Sequence, residues 1–167
     1  IQGPYHYIDP CTMAFHVIKN GDTQFLTAGH CGYNLSSNTW SHDGYGTVGV
    51  EQATRYYSGG SDIMRVQMSN TQGSSSLYSS YYPVGAAQHP YTGMGVCADL
   101  GQSNVWSCGT VTDNYTSYTT SDGCQCPVYG GDSTIASING DSGSPLVSSV
   151  IQNSAIGVIA TNVGHFA

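Results

Sequence analysis

Three short segments carry side chains that could act together on a carbonyl carbon. They are Thr27-Ala28-Gly29-His30-Cys31, Ser61-Asp62-Ile63-Met64-Arg65-Val66 and Gly140-Asp141-Ser142-Gly143-Ser144-Pro145. A serine hydroxyl is a weak nucleophile at neutral pH and needs a neighbouring base to take its proton as it attacks. An imidazole suits that task because its pKa lies near working pH. A buried carboxylate then fixes the imidazole tautomer and stabilises the imidazolium that forms. Ser142, His30 and Asp62 supply these three types. The attacked carbonyl gains negative charge, so backbone N–H groups must already converge on it. Glycines at 140 and 143 permit backbone shapes that would aim the Gly140 and Ser142 amides at that oxyanion. Each segment alone has a plainer reading: a structural histidine beside a cysteine, a turn aspartate before a strand, an ordinary Gly-Asp-Ser-Gly turn. Their joint occurrence in the order His, Asp, Ser carries the nucleophilic reading. Asp43 is a rival for the acid, but its His42-Asp43-Gly44-Tyr45 setting reads as a turn.

The elements that would position these groups are strands. Apolar residues at helical spacing are nearly absent. Short runs rich in Val, Ile, Thr and Tyr recur instead, at 13–18, 24–27, 47–51, 63–68, 109–111, 145–147 and 156–159, cut by Gly, Asn and Ser. Asn20-Gly21-Asp22 between the first two is a hairpin signal. Many short strands at this spacing predict an all-β sandwich or barrel. The stretch from Ser69 to Tyr82, rich in Ser, Asn, Thr, Gln and Gly, reads as a linker between two lobes or as one long surface loop.

Composition narrows the function classes. The chain has 167 residues, three Lys and Arg against ten Asp and Glu, and a formal charge of -7. No basic patch can be built from Lys19, Arg55 and Arg65, which argues against a nucleic-acid partner or an anionic membrane surface. No apolar run is long enough to span a bilayer. Six cysteines suggest an oxidising, extracellular compartment, and their spacing resembles no zinc site. No metal and no cofactor are expected. The start at Ile1, without a Met or a signal-like apolar run, reads as a processed mature form. Gly44-Tyr45-Gly46-Thr47-Val48-Gly49 fits a dinucleotide glycine pattern literally, but no strand–helix–strand unit surrounds it.

On the three segments quoted above, the chain resembles the chymotrypsin-like serine proteases, and within them the small bacterial secreted members. The resemblance runs from about Cys11 to Ile159, with Thr-Ala-Gly-His-Cys matched in full at 27–31. It implies two antiparallel six-stranded β-barrels with the site in the cleft between them, residues 1–75 carrying His30 and Asp62 and residues 76–167 carrying Ser142. It implies a secreted, monomeric endopeptidase, made as a zymogen, that acts on polypeptide substrates through a His30, Asp62 and Ser142 triad and an oxyanion hole of the Gly140 and Ser142 amides. Ile138, Asn139, Ala160, Thr161 and Asn162 would meet the substrate. Disulfides from Cys11 to Cys31 and from Cys97 to Cys108 carry over. Cys124 and Cys126 are left to form a tight ring, stay reduced or pair between chains, the ring being preferred.

Departures from the family pattern leave specificity open. Ser144 stands where the family has a second glycine, a variant resembling glutamate-specific relatives. Ala136 lies where trypsin-like members place an acid, so Lys or Arg is not expected at P1; small apolar, polar or acidic residues remain. His165 is a possible partner for an acidic side chain, although a surface histidine is the plainer reading. Asp141 would be buried and in need of a partner. Ala98 replaces the arginine that many bacterial members use for this, so the Ile1 amine is the expected partner, with neutral hydrogen bonds, Arg55 or Arg65 as alternatives. The Ala160-Thr161-Asn162 edge and the short stretch after it suggest a shallow or rebuilt pocket. They also keep a second function class open: a protease-fold binding protein that no longer cleaves.

Overall fold

The computed structural model describes residues 11–32, 39–42, 46–54, 61–69, 84–116, 118–119, 125–126, 130–150, 154–160 and 164–167. Strands dominate it. The first sheet is antiparallel, in the order β1-β2-β5-β4-β3, with β1 His16–Lys19, β2 Asp22–Ala28, β3 Thr39–His42, β4 Gly46–Thr54 and β5 Ile63–Met68. The expected hairpin joins β1 to β2. Asn20 and Gly21 both take positive φ, 55° and 88°, as a two-residue primed turn requires. That turn sets Lys19 opposite Asp22 and His16 opposite Phe25. In β5 the alternation of a half-buried strand sends Met64 and Val66 inward. They pack with Phe25, Ala28, Trp40 and the Cys11 and Cys31 side chains into one core cluster.

The second sheet follows the order β12-β11-β6-β7-β10-β13, with β6 Gly95–Leu100, β7 Val105–Asp113, β10 Gly131–Ser133, β11 Pro145–Ser148, β12 Ala155–Val158 and β13 His165–Phe166. A two-stranded ribbon, β8 Tyr118–Thr119 with β9 Gln125–Cys126, lies between β7 and β10 in the chain. The sheet closes on itself. Val158 and Ala167 exchange backbone hydrogen bonds of 2.8 and 2.9 Å, and the Ala160 N–H donates to the His165 carbonyl at 2.8 Å. The six strands therefore form a barrel around Met94, Val96, Ala98, Leu100, Val111, Ile135, Leu146, Ile159 and Phe166. β13 closes the barrel.

Phe15, Cys97 and Val147 form a third buried cluster, against which Leu26 of β2 and Ala155 of β12 pack. Removing such side chains from water stabilises the fold by about 1.5–3 kcal/mol each, and this cluster holds the two sheets together. The expected all-β architecture of the chymotrypsin type is thus present. The first sheet has five strands rather than six among the described residues. The proposed 75/76 boundary lies outside the described residues.

Candidate active site

β2 ends where a one-turn 3-10 helix, Gly29–Cys31, begins. Cys31 is bridged to Cys11, so the turn bearing His30 is fastened to the segment that precedes β1. β5 runs antiparallel to β2 with Ile63 opposite Ala28, which brings Asp62, the residue before β5, beside the turn. Asp62 is completely buried. One carboxylate oxygen accepts the His30 backbone N–H at 2.7 Å, and the other pairs with His30 Nδ1 at 2.7 Å. Two attachments to one carboxylate fix the ring's position and its plane. With Nδ1 donating, Nε2 carries the lone pair, the form a general base needs. The imidazole is 28% exposed while the carboxylate is dry, so the base can meet a substrate and its partner cannot be hydrated away. Asp43, the rival acid, lies outside the described residues.

The Ser142 turn packs directly against the end of β2. Gly143 has φ +90°, and a Cβ there would come 2.2 Å from the Thr12 carbonyl oxygen, 2.3 Å from Thr27 Oγ1 and 3.1 Å from the Ala28 N. Only glycine allows this approach, and it carries the Ser142 backbone up to the residues that lead into His30. Gly140 also takes positive φ, 98°. The turn is fastened on every side: Asp141 N–H to the Ile138 carbonyl at 3.0 Å, Ser144 N–H to the Asp141 carbonyl at 2.9 Å, and Gly143 N–H to the Ile159 carbonyl at 2.8 Å. Thr12 adds a backbone bond to the Ser142 carbonyl and a hydroxyl bond to the Gly140 carbonyl. Among the described residues neither the Gly140 nor the Ser142 N–H donates a hydrogen bond.

Asp141 is completely buried, as expected, and its partners among the described residues are neutral. Oδ1 accepts the Gln102 and Ser103 N–H groups, both at 2.9 Å. Oδ2 accepts the Ser103 hydroxyl and the Ile138 N–H, the latter at 3.0 Å. A carboxylate offers about four lone-pair sites, and four donors occupy them. Ile1, the expected partner, and Arg55 lie outside the described residues. Ser144, completely buried, accepts the Gly101 N–H at 3.2 Å. The departure from the second glycine thus has a structural role: with Asp141 it fastens the 101–103 turn beneath the Ser142 turn.

The other expected site residues are placed unevenly. Ile138 and Asn139 are exposed beside the turn. Ala160 is buried and its N–H donates to the His165 carbonyl. Thr161 and Asn162 lie outside the described residues. His165 sits opposite Asp132 across β13 and β10, and its Nδ1 bonds the Asp132 carboxylate. Both expected disulfides, Cys11–Cys31 and Cys97–Cys108, are present. Cys124 lies outside the described residues and Cys126 is described only as backbone of β9. A His30 ring nitrogen lies within 4.8 Å of the Cys11 and Cys31 sulfurs, but those sulfurs are bonded to each other and offer no thiolate to a metal. Sequence reasoning missed Thr12, Thr27 and Ser103. Thr27 lies in the His30 segment, while Thr12 and Ser103 belong to no motif, and only their contacts reveal the part each plays.

Known proteins resemble this chain in sequence and in fold. The Trypsin family model matches residues 11–165. Serine protease 1 of Streptomyces fradiae is 39% identical over 137 residues, 80% of this chain. Glutamyl endopeptidase 2 of Streptomyces griseus is 35% identical over 136 residues, again 80% of this chain. The chain spans 37% and 70% of the lengths of these two relatives. A solved glutamic acid specific serine protease, described as utilising a novel histidine triad in substrate binding, superimposes with a TM-score of 0.74. The match is 26% identical and covers 93% of this chain and 84% of that one. A Nocardiopsis protease gives 0.72 at 25% identity, covering 90% of this chain and 81% of its own.

Proposed function

Because the chain belongs to the trypsin family of chymotrypsin-like serine proteases, we propose that it is a secreted endopeptidase that cleaves peptide bonds through an acyl-enzyme on Ser142. His30 takes the Ser142 proton as the hydroxyl attacks, and Asp62 holds the imidazole and stabilises the imidazolium. The Gly140 and Ser142 amides receive the developing oxyanion. His30 then protonates the leaving amine, and water, activated by the same imidazole, releases the acyl group. The carrying observation is the double hydrogen bond from His30 to the buried Asp62, which is more than a structural histidine requires.

The primary side chain of the substrate is acidic in this reading. Support comes from the relative named a glutamyl endopeptidase and from the absence of an acid at Ala136. Secretion is supported by the two disulfides.

The test is digestion of a mixed peptide library by the protein and by Ser142→Ala, read by mass spectrometry. Cleavage after Glu or Asp that the variant loses supports the reading. Cleavage after other residues overturns the acidic preference alone. Labelling of Ser142 by a small phosphonate without any peptide cleavage would favour a binding protein on the same fold.

A further inference from the structure

The groups that do the chemistry sit on two different sheets, His30 and Asp62 on the first and the Ser142 turn before β11 of the second. Their relative placement must hold to a fraction of an ångström, because small misplacements of reacting groups cost about two orders of magnitude in rate. One residue outside every motif joins the two parts. Thr12 follows Cys11, whose disulfide to Cys31 fastens it beside His30. Its carbonyl accepts the hydroxyl of the fully buried Thr27, on β2, at 2.8 Å. Its N–H donates to the Ser142 carbonyl at 2.7 Å. Its own hydroxyl donates to the Gly140 carbonyl at 2.8 Å.

The last of these bonds is the informative one. The oxyanion amides belong to the 139–140 and 141–142 peptide units. Thr12 holds the carbonyls of the 140–141 and 142–143 units, which flank the Ser142 amide, and the first of them follows the Gly140 amide directly. Gly140, at positive φ and without a side chain, has backbone freedom to turn its peptide planes. A hydroxyl anchored to the histidine-bearing strand removes that freedom. We infer that the Thr12 hydroxyl is a positioning residue for the oxyanion donors: it locks the Gly140 peptide and registers the nucleophile turn against the His30 strand. Its kinetic consequence rests on the peptidase reading above, while the locking itself does not.

The test compares Thr12→Val, which keeps the shape and loses the hydroxyl, with Thr12→Ser, which keeps the hydroxyl and loses the methyl. The Thr12 N–H and carbonyl bonds remain in both. In Thr12→Val, kcat on a peptide substrate falls by about tenfold to a hundredfold with KM within twofold, since the lost ordering acts on charge formed in the transition state. Thr12→Ser restores kcat to within about threefold. Hydrogen exchange of the 138–143 amides, followed by mass spectrometry, accelerates in Thr12→Val and not in Thr12→Ser. Equal impairment of both variants would show that the methyl packing matters and would overturn the proposal, as would unchanged exchange and kcat in Thr12→Val. If the unmodified protein cleaves nothing, the peptidase reading fails and the exchange comparison still decides whether the hydroxyl locks the turn.

Discussion

Replacing Asp141 by asparagine tests whether neutral donors suffice for the buried carboxylate. The amide would keep its oxygen toward the Gln102 and Ser103 N–H groups and turn its NH2 toward Ser103 Oγ, whose hydroxyl can reverse and accept. Ile138 N–H would then face another donor. Leaving that buried N–H unsatisfied costs about 1–3 kcal/mol, and the two bonds accepted by the amide oxygen weaken by about 1 kcal/mol each as that acceptor loses its charge. Together this is about 4 kcal/mol of a total stability of about 5–15 kcal/mol. For a chain of this size that lowers Tm by about 8–16 °C. The same change loosens the turn that carries both oxyanion amides, so kcat falls by about a hundredfold. The assays are scanning calorimetry and kcat/KM on the best library peptide. Adding one residue before Ile1 provides the contrast, leaving both Tm and kcat unchanged because the four donors already saturate Asp141. An asparagine variant that melts within about 2 °C of the parent and keeps its kcat would refute the reasoning. So would an extended chain that loses activity, because Asp141 would then need the terminal amine.

Asp62→Asn keeps the shape of the acid but presents an NH2 or an uncharged oxygen to His30. It is expected to lower kcat by about ten-thousandfold through the wrong imidazole tautomer, and a drop of less than tenfold in steady-state assays would exclude Asp62 as the acid. Ser144→Ala orphans the Gly101 N–H and lowers stability by about 1 kcal/mol, about 2–4 °C in Tm, with the library preference unchanged. A tenfold change in preference would instead place Ser144 in the specificity pocket. Replacing Cys11 and Cys31 together by alanine removes a cross-link with a sequence separation of 20. The loop-entropy estimate is about 3 kcal/mol, read as a fall of about 6–12 °C in calorimetry.

The sequence alone singles out the candidate residues and their local supports. His30, Asp62 and Ser142 stand out as the proposed triad because nucleophilic catalysis demands their types, and because the tight turns around them demand glycine at fixed offsets. The Asn20-Gly21 hairpin and β5 were readable because turn geometry and the two-residue period of a half-buried strand act over a few neighbours. β6 was not. It is buried along nearly its whole length yet reads Gly-Val-Cys-Ala-Asp-Leu, without alternation. β10 and β13 are too short to carry a period, and pairing across the barrel decides them. The partner of Asp141, the reason for Ser144 and the part played by Thr12 were decided by tertiary structure alone. Each depends on backbone groups that every residue has, brought together from positions 38 to 128 residues apart. A backbone N–H or carbonyl leaves no mark in the sequence of side chains, so its partners become known only when folding brings the segments together.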